Sequence, residues 1–340
     1  MQIVYILIAI LVFGLLILIH EGGHYLCARI FRVTVLEFAI GMGPAFFKRQ
    51  RGETQYSLRI FPIGGFCAME GEDEDSDDER AFNNQPAWQR ALVLAAGSFM
   101  NLLTAVVLMI IIAFWVGQPT TVINEVLEDS PAQECGLMPG DEITAVNGTA
   151  VDEWTDATTV IGGLENTEAV ITVIRDGKEM VFRPVAEYDE KEQRSKIGIT
   201  PEAEHNPVHA VGTGAKNTWN MTVMMGTVLK QLFTGDVAVK ELSGPVGIVY
   251  AVNESAKVGV IYVIYLAALL SLNLAIMNML PFPALDGGRL IFLVIRKITG
   301  KRVTDEMEGR IHFIGILLLF ALMIYVTWND IVRFVVPIFS

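Results

Sequence analysis

The chain has 340 residues, 52% of them hydrophobic, and a mean hydropathy of +0.45. That apolar excess excludes an ordinary soluble domain. The net charge of −13 owes much to residues 70–79 and says little about partners, and no basic patch interleaved with aromatics argues for nucleic acid.

Residues 3–19 form an uncharged apolar run, and three more such runs follow at 91–116, 258–280 and 311–326. Each has about the length a helix needs to cross ~30 Å of hydrocarbon at ~1.5 Å per residue. The first lacks the basic leader and small-residue cleavage site of a removable signal, so it is expected to be a retained span. It ends on His20-Glu21-Gly22-Gly23-His24. Two histidines four apart share one helix face, so both imidazoles can reach one zinc ion. Glu21 is then placed as a general base, taking a proton from water and returning it to a leaving amine. Ionisable residues at the end of a membrane span cost roughly a few kcal/mol each, which favours a function over a polar interfacial cap. Gly22 and Gly23 weaken the helix; either another segment approaches closely there or the helix ends.

Residues 33–47 and 55–69 alternate in a strand-like way, punctuated by Gly41, Gly43 and Pro44, then by Pro62, Gly64 and Gly65. Both are apolar yet too short to span. A hairpin-like sheet dipping into the membrane beside the spans is expected, its backbone facing protein or a wet cavity. Residues 38–43 are expected to pair with an extended substrate by strand addition. Stretch 70–79 holds eight acidic residues in ten and reads as a solvated loop.

Four spans put both termini on one side. Arg29, Arg32, Lys48, Arg49, Arg51, Arg59 and Arg90 border the first connection, and Arg289, Arg296, Lys297, Lys301, Arg302 and Arg310 the connection between spans 3 and 4. The positive-inside rule makes these two connections cytoplasmic. The termini and segment 117–257 are then outside. Cys27 and Cys67 fall inside and Cys135 alone outside, so no disulfide framework is implied.

The outer segment opens with a small α+β unit. Residues 121–126 and 142–146 read as strands, 152–161 as a helix, and 169–175 with 179–183 as a hairpin around Asp176-Gly177. The run Gly136-Leu137-Met138-Pro139-Gly140-Asp141-Glu142-Ile143 with Val146-Asn147-Gly148 resembles the core of a PDZ domain of the bacterial protease type, over about 118–186. Residues 217–233 are apolar with few charges and form a helix, either lying on the outer membrane face or packed on the spans.

A catalytic zinc site needs three protein ligands and an open position. Asp286 is the candidate third ligand. It follows Asn278-Met279-Leu280-Pro281-Phe282-Pro283-Ala284-Leu285, whose prolines must unwind the inner end of span 3. That is the depth expected for His20 and His24; the bland alternative for Asp286 is a turn residue before Gly287-Gly288. His205 and His209 are also four apart, but Pro207 lies between them and no Glu follows. His312 reads as interfacial and Cys27 as a buried bystander.

The zinc motif ending span 1, with NxxPxPxLDGG ending a later span, resembles the site-2 protease family of intramembrane metalloproteases. Gly41-Met42-Gly43-Pro44, Ile63-Gly64-Gly65-Phe66, Trp88-Gln89-Arg90-Ala91, Ala96-Gly97 with Asn101, and Leu242-Ser243-Gly244-Pro245-Val246-Gly247-Ile248 extend the resemblance in family order. Ser98 departs from it, since the family usually has Pro after Ala-Gly, which puts the local helix geometry in question. The single PDZ-like unit resembles the bacterial branch that regulates sigma factors.

The resemblance implies a membrane α-helical bundle of about four transmembrane helices, a membrane-associated β-hairpin after span 1, and an inserted extracytoplasmic PDZ-like α+β domain. The expected parts are 1–117, the PDZ-like 118–186, a linker with the outer-face helix at 187–257, and 258–340. It implies a zinc metalloendopeptidase of the bacterial plasma membrane, with His20, His24 and Asp286 on Zn²⁺, Glu21 as base, and Asn278 and Asn273 near substrate. Implied partners are transmembrane substrates (anti-sigma factors, remnant signal peptides or pheromone precursors), a site-1 protease making the first cut, and membrane lipid. A non-catalytic scaffold is disfavoured by Glu21 lying beside the ligands. A metal transporter is disfavoured because the polar residues cluster at one depth.

Overall fold

The computed structural model describes residues 2–72, 76–164, 166–190, 192–236, 238, 241–299 and 305–336. Part of the acidic stretch (73–75) and the basic pair Lys301 and Arg302 lie outside the described residues. Residues 1–109 with 214–340 form one compact unit, and residues 110–213 another. Among the described residues, four helices are long and apolar enough to cross a membrane: Val4–Ile30, Ala87–Val116, Val260–Asn278 and Met307–Phe334.

The first unit begins with α1 (Gln2–Ile30), β1 (Val35–Arg51), β2 (Thr54–Met69) and α2 (Ala87–Val116). The turn at Gly52, with φ +63°, joins β1 to β2 as a hairpin. Neither strand stays straight. Gly41, Gly43 and Gly64 take φ of +87°, +83° and +89°, so each strand bends near its middle and folds back. Residues 37–40 consequently pair on both sides, with 55–58 and with 65–68. Residues 38–40 are therefore interior to the sheet. This corrects the expectation that 38–43 offers a free edge: the bends engage both backbone edges of 38–40, and the edge beside α1 is instead 65–68. α2 runs unbroken through Ser98, so the departure from Pro there leaves the helix regular.

The second unit contains β3 (Gln118–Val126), α3 (Pro131–Cys135), β4 (Glu142–Val146), β5 (Thr149–Ala150), α4 (Trp154–Gly162), β6 (Ile171–Arg175), β7 (Lys178–Phe182), β8 (Glu187–Asp189), β9 (Arg194–Lys196) and β10 (Ile199–Glu204). Its main sheet runs β10-β3-β4-β6-β7, with β5 beside β4. Ile123, Leu137, Ile143, Val146, Ile161, Ile171, Val173 and Ile197 form its core. Asn147-Gly148 and Asp176-Gly177 all have positive φ, the conformation their two hairpin turns require. The sequence reading ended this unit at 186, but β10 adds to the β3 edge of the sheet. Residues 187–204 are too polar to show a strand alternation, and pairing decides their structure.

Asp141 explains the Pro-Gly-Asp turn. Its side chain is 1% exposed, accepts two bonds from Arg175 at 2.6 and 2.7 Å, and accepts the Met138 N–H at 2.9 Å. Burial opposes ionisation, but Arg175 and the Met138 amide outweigh it and hold the carboxyl below the ordinary carboxylate range. A lowered folded value stabilises above the unfolded pKa of ~3.9, and the stabilisation is lost as pH falls through the folded value. Asp141→Asn is expected to destabilise this unit by about 3 kcal/mol at neutral pH, with the difference shrinking in acid. Protease susceptibility of the unit in the full chain checks this; equal susceptibility at pH 7 would remove the ion pair from the account.

The chain then returns to the first unit through α5 (Pro207–Thr234), followed by α6 (Pro245–Val258), α7 (Val260–Asn278), α8 (Asp286–Thr299) and α9 (Asp305–Asp330). Pro207 starts α5 rather than breaking it, which leaves His205 off the helix, bonded to the Phe114 carbonyl at 2.8 Å. α5 buries Thr218 and Met221 and leaves Trp219, Val223 and Met224 exposed. At the start of α6, Gly244 and Gly247 N–H donate to Asp330 at 2.9 and 2.8 Å. The Ser-Gly-Pro-Val-Gly run is thus an amide cradle for a buried carboxylate on α9. As predicted, α7 stops at Asn278, and Pro281 and Pro283 lie in the connection before α8.

Candidate metal centre

Four helices meet around one point in the first unit. α1 supplies His20, Glu21 and His24, α2 supplies Val93, Gly97 and Asn101, α7 supplies Ser271 and Asn278, and α8 begins on Asp286. The helices approach this closely because side chains are missing where they touch. A Cβ at Gly23 would fall 2.4 Å from the Ala96 carbonyl oxygen. A Cβ at Gly97 would fall 2.3 Å from His24 Nε2 and 2.7 Å from His20 Cε1. Gly22, by contrast, faces open space. Gly287 and Gly288 let the proline segment fold over the start of α8, since Cβ atoms there would meet the Leu280 and Phe282 carbonyl oxygens at 2.4 and 2.2 Å.

The result is a triangle of three Lewis-basic atoms. His20 Nε2 and His24 Nε2 lie 3.2 and 3.4 Å from Asp286 Oδ2, and 3.3 Å from each other. Metal–ligand bonds of ~2.0–2.1 Å at the tetrahedral angle require ligand atoms about 3.3 Å apart. Both histidines are buried. Among the described residues, Asp286 Oδ2 is buried without a hydrogen-bond partner, and these three residues are the one group of three or more with metal-ligand spacing. Lone pairs converging this way repel one another unless a cation sits between them. The donor set therefore fits a divalent ion such as zinc.

The outer nitrogens are held in the matching tautomer. His24 Nδ1–H donates to the Val93 carbonyl at 2.8 Å, leaving Nε2 free as a donor to metal. His20 Nδ1 lies 3.2 Å from the Asn101 side-chain amide, which is fully buried. The amide atom at that distance is Nδ2; with Nε2 directed at the metal, Nδ1 carries the proton, and turning the Asn101 amide over gives that proton an acceptor in the amide oxygen, which has no other partner among the described residues. The Asn101 backbone carbonyl accepts the Ser271 hydroxyl at 2.8 Å, tying α2 to α7.

Glu21 stands outside the ligand triangle. Its carboxylate faces the Cys67 backbone amide, and a Cβ at Gly65 would lie 3.4 Å from its Cγ. A cavity of about 260 Å³ is bounded by Ile17, His20, Glu21, Gly64, Gly65, Leu274, Asn278 and Asp286. The Asn278 amide is 3.2 Å from His20 Nε2, at the rim of the ligand triangle. Asn273 is exposed and does not line this cavity, so of the two asparagines the structure brings only Asn278 to the centre.

Cys27 packs beside Ala28 and Val33 rather than among the ligands. Cys67 sits in a buried apolar cluster with Val35, Met69 and Phe82 and falls outside the group with metal-ligand spacing. His209 is exposed on α5. Gly97 and Asn101 stood out in the sequence only as part of the family resemblance, with no role attached, and no spacing pointed to Ser271.

The model of peptidase family M50 matches residues 8–322. A protein named as a zinc metalloprotease in Clostridium acetobutylicum is 39% identical, the match covering 96% of this chain and 97% of that one. A zinc metalloprotease so named in Fusobacterium nucleatum is 37% identical over 96% and 98%. The regulator of sigma-W protease RasP of Bacillus subtilis is 32% identical over 95% and 97%.

Proposed function

Since the chain belongs to peptidase family M50, the site-2 proteases, and is a zinc metalloprotease, we propose that it cuts single-pass transmembrane segments at the centre formed by His20, His24, Asp286 and Glu21. One observation carries this reading: a metal-sized triangle of buried donors stands beside a carboxylate that is not part of it, in a cavity among membrane-length helices.

Bound zinc supplies a Lewis acid that polarises the scissile carbonyl and brings the pKa of water toward ~7. His20, His24 and Asp286 are the residues that would hold the ion. Glu21 takes a proton from the attacking water as its oxygen bonds to the carbonyl carbon. When the C–N bond breaks, the same carboxyl hands that proton to the amine nitrogen. The Asn278 amide, at the rim of the triangle, donates to the oxygen on which charge develops. A helical substrate hides its carbonyls in its own hydrogen bonds and must unwind. The side-chain-free edge at Gly64-Gly65 of β2 supports a role as the strand that receives the unwound segment, since its backbone lies beside Glu21.

The charge pattern supports a bacterial plasma-membrane orientation with the centre near the cytoplasmic side and the PDZ-like unit outside. In that unit a cavity of about 330 Å³ lies between α4 and the β9–β10 segment, lined by Trp154, Ile161, Lys196 and Ile199 among others. It has the size and apolar lining to take a peptide, such as a substrate end left by an upstream site-1 protease. The Bacillus relative is named as a regulator of sigma-W; the substrate class we propose is membrane-anchored anti-sigma factors, with remnant signal peptides and pheromone precursors sharing the same single-span chemistry.

The purified full chain is expected to cleave a model transmembrane peptide, to lose that activity to a zinc chelator, and to regain it with added zinc. Cleavage indifferent to chelation would defeat the reading. Deleting the whole outer unit, 118–204, then distinguishes its two roles: wider cleavage of untrimmed substrates indicates a size filter, and lost cleavage indicates capture.

A further inference from the structure

We propose that α9 is a clamp on the Asp286 loop, and that His312 is its positioning residue. The sequence alone placed His312 at the membrane interface with no task. In the structure, His312 Nδ1 accepts the Ala284 N–H at 2.8 Å, two residues before the Asp286 ligand. Ala284 has φ +79°, a left-handed conformation that an L side chain rarely adopts and that surrounding contacts must hold. Pro281 and Pro283 have no N–H to offer, so this loop has few backbone donors with which to fix itself.

The same face of α9 touches the loop and its continuation at three successive turns. Glu308 pairs with Arg296 of α8 at 2.5 Å. His312 takes the Ala284 N–H. At Gly315, a Cβ would fall 2.5 Å from the Pro283 carbonyl oxygen, so the helix lies directly on the loop there. Positions 308, 312 and 315 are spaced four and three apart, the stripe of one helix face. The ligand is thus gripped before it, at 283 and 284, and after it, at 296. Because Nδ1 accepts, the proton resides on Nε2, which lies 3.7 Å from Glu308 Oε1.

This inference rests on the zinc site proposed above, and its consequence concerns how tightly that site holds the ion. Partners that orient a metal ligand typically alter affinity about 10–100-fold. In the full-length protein, zinc affinity measured by chelator competition is expected to fall about tenfold in His312→Leu. His312→Asn, whose amide oxygen can take the place of Nδ1, is expected to stay near wild type. Gly315→Ala, which drives a methyl into Pro283, is expected to weaken zinc as His312→Leu does. Cleavage by these variants should follow zinc occupancy and recover in excess zinc, which a lost general base would not do.

His312→Leu holding zinc as tightly as wild type overturns the clamp, as does His312→Asn as weak as His312→Leu. Should His312→Leu fail to fold, Gly315→Ala with undiminished affinity overturns it. A wild-type chain that binds no zinc, or an Asp286→Asn chain that binds it normally, defeats the zinc site itself and the clamp with it. A clamp failure alone leaves that site standing.

Discussion

Glu21→Gln is expected to keep zinc bound while cleavage falls by about 10²–10⁴-fold, the usual contribution of a positioned general acid–base. Glutamine preserves the shape of the side chain and its ability to accept the Cys67 amide. It cannot hold and return a proton. Because Glu21 lies outside the ligand triangle, the substitution leaves the three donors and their 3.2–3.4 Å spacing untouched. Metal content of the purified variant, together with single-turnover cleavage of a transmembrane peptide, separates binding from chemistry. Cleavage within a few-fold of wild type would remove Glu21 from its assigned role, and zinc loss would make it a ligand instead.

Gly97→Ala is expected to abolish zinc binding, with affinity falling about 100-fold or more, at or beyond the upper end of what orienting residues contribute. The sign is informative because helix propensity predicts the reverse. Alanine in place of glycine inside a helix favours the helix by about 1 kcal/mol. Here, however, the added methyl would fall 2.3 Å from His24 Nε2, well inside van der Waals contact. α2 cannot back away cheaply. It is held against α1 at Gly23 and Ala96, and against α7 by the bond between Ser271 and Asn101. Overpacking typically costs 1–3 kcal/mol, and here it falls on a metal-binding atom. Circular dichroism should show α2 helicity unchanged or increased while chelator competition shows the zinc gone. Retained zinc with wild-type affinity would mean the helices separate more easily than their contacts imply.

The candidate metal centre was legible in the sequence because most of its chemistry is local. His20, Glu21 and His24 are adjacent turns of one helix, and two prolines announce where the chain unwinds before Asp286. The asparagines could have been separated by helix geometry alone. Residues 273 and 278 are five apart, hence about 140° apart around the axis at 3.6 residues per turn, so both cannot face one cavity. The Gly-rich bends of β1 and β2 were visible as glycines, but not as a fold-back, because pairing on both sides of 37–40 depends on which halves meet. The partners of the ligands were not legible. Ser271 meets Asn101 across 170 positions, Asp330 meets Gly244 across 86, and His312 meets Ala284 across 28. No periodicity in one segment reports a contact made by another.

The centre is assembled from opposite ends of the chain, with Asn278 and His20 separated by 258 positions. At a synthesis rate of about 5–20 residues per second, on the order of 10–50 s pass between the ribosome adding His20 and adding Asn278. Throughout that interval the nascent protein carries two converging imidazoles and a base but no carboxylate to complete the triangle. On the proposed ligand set, hydrolytic competence arrives only when the third apolar helix has been inserted and α8 has followed it. A membrane that is making this enzyme therefore holds half-built copies that cannot yet cut.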